Sequence, residues 1–152
     1  MALTITETGF DMGLGEHRSW HLDEHVHVAF GTLAKLREEV MEYQEACRQQ
    51  LPMAALFEFS DIIGALAGHL RSVGVTSIDM PGPADTGAAG VWTGFYLYAE
   101  LARPEEWPKL ARWLLSAIGR AAAVYNMTLE DLLRQAQLRS AVLLNGSSTC
   151  SA

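Results

Sequence analysis

Acidic residues recur at helical spacing in the first half of the chain. Glu38, Glu39, Glu42 and Glu45 follow one another at steps of one, three and three residues, so a helix would place these carboxylates close together along one side. Like charges at such spacings repel each other by about 0.2–0.5 kcal/mol per pair. A bound cation would relieve this repulsion, which makes the stretch a candidate metal site.

The same stretch also has a simpler interpretation as a solvated helix face. Lys35 and Arg48 lie at helical spacing from Glu39 and Glu45, so both acids can form surface ion pairs. Exposed pairs of this kind are common and contribute little. The stretch alone therefore leaves both interpretations open.

A second acidic pair lies in strongly apolar surroundings. Glu58 and Asp61 are three residues apart, and no basic residue occurs from Leu51 to Gly68. A buried carboxylate without compensation is costly, so these acids must be protonated, paired with a distant cation, or bound to metal. Arg37 and Arg71, or a residue of a later helix, are the candidate pairing partners.

Apolar periodicity predicts the two helices that carry these acids. The first is expected from about Leu22 to Gln50, and the second from Pro52 to a stop at Gly74. With only a short turn between them, the helices should pack antiparallel, and the two acidic groups can then meet across the seam. Oxygen ligands without cysteine suit a hard cation, Mg²⁺ or Mn²⁺.

The rest of the chain is expected to be helical as well. A long connection, Gly74–Val91, leads to an aromatic helical segment, Trp92–Leu101. A further helix should open near Pro104, and the last should run from Thr128, a capping residue, to about Leu144. No strand-like alternation of useful length is evident. We predict an all-α bundle of four to five helices.

Length and composition indicate one globular domain. The chain has 152 residues, of which 49% are apolar and 19% are charged. Residues 1–20 are expected to be a poorly ordered segment, 21–144 the domain, and 145–152 a flexible tail. The second helix and the aromatic segment carry more apolar surface than one small bundle can cover, which predicts a homodimer or homotetramer completing the bundle.

The net charge and the cysteine content limit which binding partners and which cellular compartment are expected. The formal net charge is −7 and no cluster of Lys and Arg occurs, which argues against a nucleic-acid polymer as partner. A nucleotide remains compatible, since a bound cation lets an acidic site accept phosphates. Cys47 and Cys150 have no disulfide or zinc spacing, which fits a reducing cytoplasm.

Membrane insertion and secretion are not expected. Glu58 and Asp61 interrupt the longest apolar stretch, which argues against a spanning helix. Glu7 and Asp11 stand where a signal peptide would carry positive charge and then an apolar run.

Two motifs together resemble a known enzyme family. Glu38-Glu39-x-x-Glu42 followed by Glu58-x-x-Asp61 is similar to the EExxE and ExxD signature of the MazG-like nucleoside triphosphate pyrophosphohydrolases. The resemblance covers about residues 26–72 and, more weakly, 126–139. Its superfamily also includes the all-α dUTPases and phosphoribosyl-ATP pyrophosphatases, which are helical bundles that assemble as dimers or tetramers.

The resemblance implies roles for the acidic residues. Glu39, Glu42, Glu58 and Asp61 match the ligands of Mg²⁺ or Mn²⁺, and Glu38 matches a further ligand or the base that positions the attacking water. Members of the family cleave between the α and β phosphates. The expected products are a nucleoside monophosphate and pyrophosphate, with dUTP the first candidate substrate and clearance of the nucleotide pool the expected role.

Substrate contacts are expected from residues outside the acidic groups. Arg134 and Arg139 lie where family members often have a Lys and an Asn, and they are expected to hold phosphates, with Lys109 a further candidate. Trp20 and Phe30 are candidates for the base pocket, since aromatic faces stack on bases. The neighbouring His25 and His27 have the alternative interpretation of surface residues, and Phe30 that of a core residue.

Two other functions remain open at this stage. The chain can be an inactive interaction or scaffold protein with the same fold, with Trp92–Tyr98 as its interface. A di-iron bundle normally needs two Glu-x-x-His motifs, and only Glu24-x-x-His27 is present.

Overall fold

The described part of the chain is mainly helical. The structure is a computed structural model that describes residues 2–6, 9–13, 32–82 and 99–137. Its longer helices are α1 (Leu33–Arg48), α2 (Pro52–Ser72) and α3 (Trp107–Ala123), followed by α4, which covers residues 129–137 of the described range. Residues 99–101 are helical, and a 3₁₀ turn, Pro104–Glu106, leads into α3. The predicted all-α class is confirmed, with a small β-sheet in addition.

Helix α1 begins later than the apolar periodicity predicted. Thr32 has an extended backbone, and its side-chain oxygen accepts a hydrogen bond from the backbone N–H of Lys35 at 3.1 Å. Such a cap satisfies an N–H group that the first helical turn leaves unpaired. The single helix predicted from about Leu22 is therefore wrong at its start, and residues 14–31 lie outside the described range.

A tight turn folds α2 back along α1. Gln50 adopts a left-handed conformation with φ of 58°, and the backbone N–H of Leu51 donates to the carbonyl of Ala46 at 3.0 Å. Pro52 then opens α2, where its fixed φ suits the first helical turn and its missing N–H costs nothing. This helix pair forms the most extensive contact between elements of the described fold.

Helix α2 ends near the predicted stop and is largely buried. Gly74 follows it with φ of 84°, a conformation that glycine adopts without a Cβ penalty. By length and composition α2 could cross a membrane, but a core helix passes the same test, and this helix packs against α1 and α3. Two large apolar side chains near its start, Met53 and Phe57, remain exposed.

Helices α3 and α4, both predicted from the sequence, pack closely against each other. Gly119 allows a close approach, since a Cβ there would lie 3.3 Å from the Cβ of Leu129. Thr128 and Asp131 cap α4 reciprocally: each accepts, through its side chain, a hydrogen bond of 3.1 Å from the backbone N–H of the other. The predicted start of the last helix at Thr128 is confirmed, and its end lies outside the described range.

A three-stranded antiparallel sheet was not expected. Strands β1 (Ala2–Ile5), β2 (Phe10–Asp11) and β3 (Ser77–Asp79) lie in the order β2-β1-β3, with Leu3 opposite Ile78. Residues 2–6 and 9–13, which fall within the segment expected to be poorly ordered, thus contribute two strands to this sheet. Burial of Leu3 and Phe10 attaches these strands to the core. The expected long connection after Gly74 likewise contains β3.

One core joins the sheet to the helices. Strand β1 contacts α2 and strand β3 contacts α3, so the sheet closes one side of the helical pairs. The largest fully buried side chains are those of Leu3, Phe10, Leu36, Phe59, Ile62, Ile63, Leu66, Leu70, Leu114, Leu115, Ile118 and Leu132.

Candidate metal centre

Helix α1 turns one of its acids into the seam with α2. Leu36 and Val40 are fully buried on this side of the helix, and Glu39 lies between them, at 6% exposure. Residues three apart on a helix share a side, so Glu39 lies on the same buried side of α1 as Leu36. The Glu39 carboxylate therefore lies on the side of α1 that faces the core.

Helix α2 presents two acids to the same seam. Glu58 and Asp61 are half-buried and flank Phe59, whose side chain is fully buried. Their three-residue spacing puts both carboxylates on one side of α2. Glu58 interacts with its surroundings, while its Oε2 atom is buried and accepts no hydrogen bond.

The three carboxylates converge. One oxygen each from Glu39, Glu58 and Asp61 lies within 4.8 Å of the others. Three oxygen ligands with no nitrogen or sulfur suit a hard divalent cation. The group could therefore hold a metal ion, as the pairing of the two acidic motifs predicted.

Lys35 reaches the same group from one turn earlier on α1. Its Nζ lies 2.6 Å from Oε1 of Glu39 and 3.6 Å from Oε2 of Glu38. The hydrogen bond from Lys35 to Glu39 raises the pKa of Lys35, although partial burial opposes the shift. The predicted surface pair between Lys35 and Glu39 thus exists, but its acid is buried and belongs to the three-carboxylate group.

The other two predicted acids of α1 lie outside the three-carboxylate group. Glu38 is 56% exposed at its side chain and faces solvent beside Lys35. Glu42 is exposed as well, yet partial desolvation and the negative charges of Glu39 and Glu38 raise its pKa. A side-chain hydrogen bond with Glu39 adds to this shift, so Glu42 lies beside the three converging acids without being one of them.

The predicted substrate-binding residues are only partly covered by the structure. Arg134 lies on α4 and is exposed. Lys109 sits over the ring of Trp113, with its Nζ 5.1 Å from the ring centroid. Trp20, Phe30 and Arg139, and with them Glu24, His25, His27 and the Trp92–Tyr98 segment, lie outside the described residues.

One candidate partner for the acids of α2 forms an ion pair with a later helical segment. Arg37 pairs with Glu100, which ties α1 to the helical residues 99–101. Arg71 is exposed at the far end of α2, two and a half turns or more from the acids.

A cavity of about 410 Å³ lies away from the carboxylates, at the turn between α1 and α2. None of the three acids lines it, so this cavity is not the metal centre. Its lining residues are Cys47, Gln50, Leu51, Pro52, Ala55 and Tyr125.

The sequence analysis did not single out the buried titratable residue His69. His69 is 8% exposed and stacks edge-on against Trp107, with the ring centroids 4.2 Å apart. Burial lowers its pKa. Its spacing from Leu66 and Leu70 was the available signal, because both lie on the core side of α2.

Comparison with known proteins yields no relative. No protein-family model, no curated protein and no solved structure matches this chain.

Proposed function

We propose that this protein hydrolyses a nucleoside triphosphate to a nucleoside monophosphate and pyrophosphate, using Mg²⁺ or Mn²⁺. The observation that carries the proposal is the convergence of Glu39, Glu58 and Asp61 within 4.8 Å across the α1–α2 seam. The motif order that resembles the MazG-like enzymes supports the same assignment.

In this proposal each acid has a defined task. Glu39, Glu58 and Asp61 hold the cation, and Glu42, one turn further along α1, completes the ligand set. A cation bound there supplies positive charge to the polyphosphate and lowers the pKa of a bound water. Glu38 is exposed beside the group, and it accepts the proton of the attacking water.

The remaining contacts follow from the resemblance. Arg134 and Arg139 neutralise the distal phosphates, and Trp20 and Phe30 stack on the base. We propose dUTP as the first substrate to test, and the cytoplasm as the site of action. The reaction type is supported by the carboxylate group, whereas the base preference is supported by the family resemblance alone.

We also propose that the protein works as a homodimer or homotetramer. Met53 and Phe57 are 66% and 59% exposed on the first turns of α2, one helical turn apart. Large apolar side chains at this spacing suit a helix that packs against a second copy. Sedimentation at micromolar concentration is expected to give at least a dimeric mass.

The deciding assay is pyrophosphate release from a panel of canonical and modified triphosphates. The wild-type protein should release pyrophosphate and monophosphate with Mg²⁺, and neither product with a chelator. Release of orthophosphate would refute the reaction class. Absence of any product across the panel would favour the alternative of an inactive interaction protein.

A further inference from the structure

Lys35 places a positive charge directly on a proposed metal ligand. Its Nζ lies 2.6 Å from Oε1 of Glu39, and the Glu39 side chain is only 7% exposed. In the metal-free protein this ammonium compensates a carboxylate that is buried near Glu58 and Asp61. The Lys35–Glu39 ion pair is therefore part of the proposed metal site and differs from an exposed surface ion pair.

We propose that Lys35 is a resident counter-ion that holds Glu39 until a divalent cation displaces it. This inference rests on the proposed metal site. An ammonium and a metal ion repel each other and compete for the same carboxylate, so binding of one weakens binding of the other.

Glu38 offers the displaced ammonium a second carboxylate partner. Glu38 lies 3.6 Å from the same Nζ, and its side chain is 56% exposed. Lysine carries its charge on a flexible four-carbon stem, so a small rotation transfers the contact from Glu39 to Glu38. The charge then lies at the solvent side of the centre, where a substrate phosphate approaches.

This exchange sets the affinity of the centre. Lys35 stabilises the metal-free state, and the metal must overcome that stabilisation before it binds. Removal of the lysine charge should therefore strengthen metal binding and weaken the metal-free fold. A lysine that merely supports the helix would change only the second property.

The test measures binding of Mn²⁺ alone, by electron paramagnetic resonance of the free ion, in wild-type protein and three variants. Lys35→Gln should lower the Kd for Mn²⁺ by about tenfold, within the usual range of coupling between two sites. Lys35→Arg should raise it by about threefold, because a guanidinium holds a carboxylate through two hydrogen bonds. Arg48→Gln is the matched control. It removes the same charge from an exposed pair on the same helix, and should change the Kd by less than about twofold because of screening.

A second measurement separates displacement from simple charge removal. In a chelator, Lys35→Gln should melt at a lower temperature than the wild type, and saturating Mn²⁺ should raise its midpoint by more than it raises the wild-type midpoint. If Lys35→Gln does not fold without metal, the weaker binding expected of Lys35→Arg carries the test.

The outcomes distinguish the inference from the proposed function. Wild-type protein that binds no Mn²⁺ would overturn the metal site and the inference together. Wild-type binding with equal or weaker binding by Lys35→Gln, or with tighter binding by Lys35→Arg, would overturn the inference alone.

Discussion

Two ion pairs on α1 have similar chemistry in different surroundings. Nζ of Lys35 lies 2.6 Å from Oε1 of Glu39, and Nη2 of Arg48 lies 2.5 Å from Oε1 of Glu45. Glu39 is buried against α2, whereas Arg48 and Glu45 are 74% and 46% exposed at their side chains. Spacing along one helix is thus sufficient to make a pair, but it does not decide what the pair does.

The difference comes from the neighbouring helix. Beside Glu39, α2 contributes the carboxylates of Glu58 and Asp61, so Lys35 faces a group of three acids whose oxygens lie within 4.8 Å of one another. Glu45 instead has its own local partners, Arg48 and the side-chain amide of Gln49, which donates to it at 2.6 Å. Convergence of three carboxylates distinguishes the candidate metal centre from the exposed face, where Glu45 is bonded to neighbours on its own helix.

Substitution of the α2 acids should produce the largest effect. Glu58→Gln or Asp61→Asn should lower metal affinity and pyrophosphate release by at least about a hundredfold, since even the partners of metal ligands are worth 10–100-fold. Glu45→Gln, which changes a carboxylate in the exposed pair, should leave both unchanged. Full activity in Glu58→Gln would show that this carboxylate matters no more to catalysis than Glu45 in the exposed pair.

The next prediction concerns whether the exposed Glu38 acts as the catalytic base beside the metal site. Glu38→Gln keeps the shape of the side chain but cannot accept a proton, so turnover should fall by about a hundredfold or more while metal affinity survives. Parallel steady-state kinetics and Mn²⁺ titration check this. Joint loss of metal and turnover would make Glu38 a ligand, and retained turnover would move the base role to another carboxylate, such as Glu45.

Without metal, substitutions in the three-carboxylate group and in the exposed Arg48–Glu45 pair should change the free energy of unfolding in opposite directions. Asp61→Asn removes one of three mutually repelling carboxylates, and it should raise the free energy of unfolding in a chelator by about 1 kcal/mol. Glu45→Gln should lower that free energy slightly, because it breaks a favourable pair. Urea denaturation measures both. A destabilised Asp61→Asn protein would show that the carboxylate is needed for the fold itself.

The smallest effect concerns the titration of the exposed pair. Hydrogen bonds from Arg48 and Gln49 lower the pKa of Glu45 to about 2. Because the folded-state pKa lies below the ordinary value, the stabilisation is complete above that ordinary value and is lost as the pH falls toward 2. A carboxyl NMR titration should show this, and Arg48→Gln should return the pKa toward its ordinary value. An ordinary pKa for Glu45 in the wild type would contradict the hydrogen bonds from Arg48 and Gln49.

Much of the helical fold could be predicted from local signals. Pro52, Gly74 and Thr128 mark boundaries through backbone preferences that act within a few residues, and the structure follows each of them. Thr32 carries the same kind of signal, a capping side chain, but apolar periodicity on both sides of it suggested one continuous helix.

The sheet was harder to predict because its strands are short and distant in sequence. Leu3 and Ile5 alternate with polar residues, as do Phe10 and Met12, and all four are buried. Two such short runs resemble a frayed segment until β3 supplies a pairing partner, with Ala2 opposite Asp79. Local patterns do not contain that long-range information.

The site shows the same division between local and tertiary information. Spacing predicted that Glu39, Glu58 and Asp61 could meet, and the structure brings their oxygens together. Spacing could not separate Glu39 from Glu42, which lie only about 60° apart around the helix. The crossing of α2 over α1 decides that Glu39 is buried and Glu42 is exposed.

Anomalous diffraction from crystals of the protein soaked in Mn²⁺ can locate a bound ion without any assay of activity. We expect one or more anomalous peaks at the α1–α2 seam, about 2.1 Å from carboxylate oxygens of Glu39, Glu58 and Asp61, with Nζ of Lys35 moved away from Glu39. Well-ordered crystals at saturating Mn²⁺ that show no peak there, and Lys35 still bonded to Glu39, would contradict it.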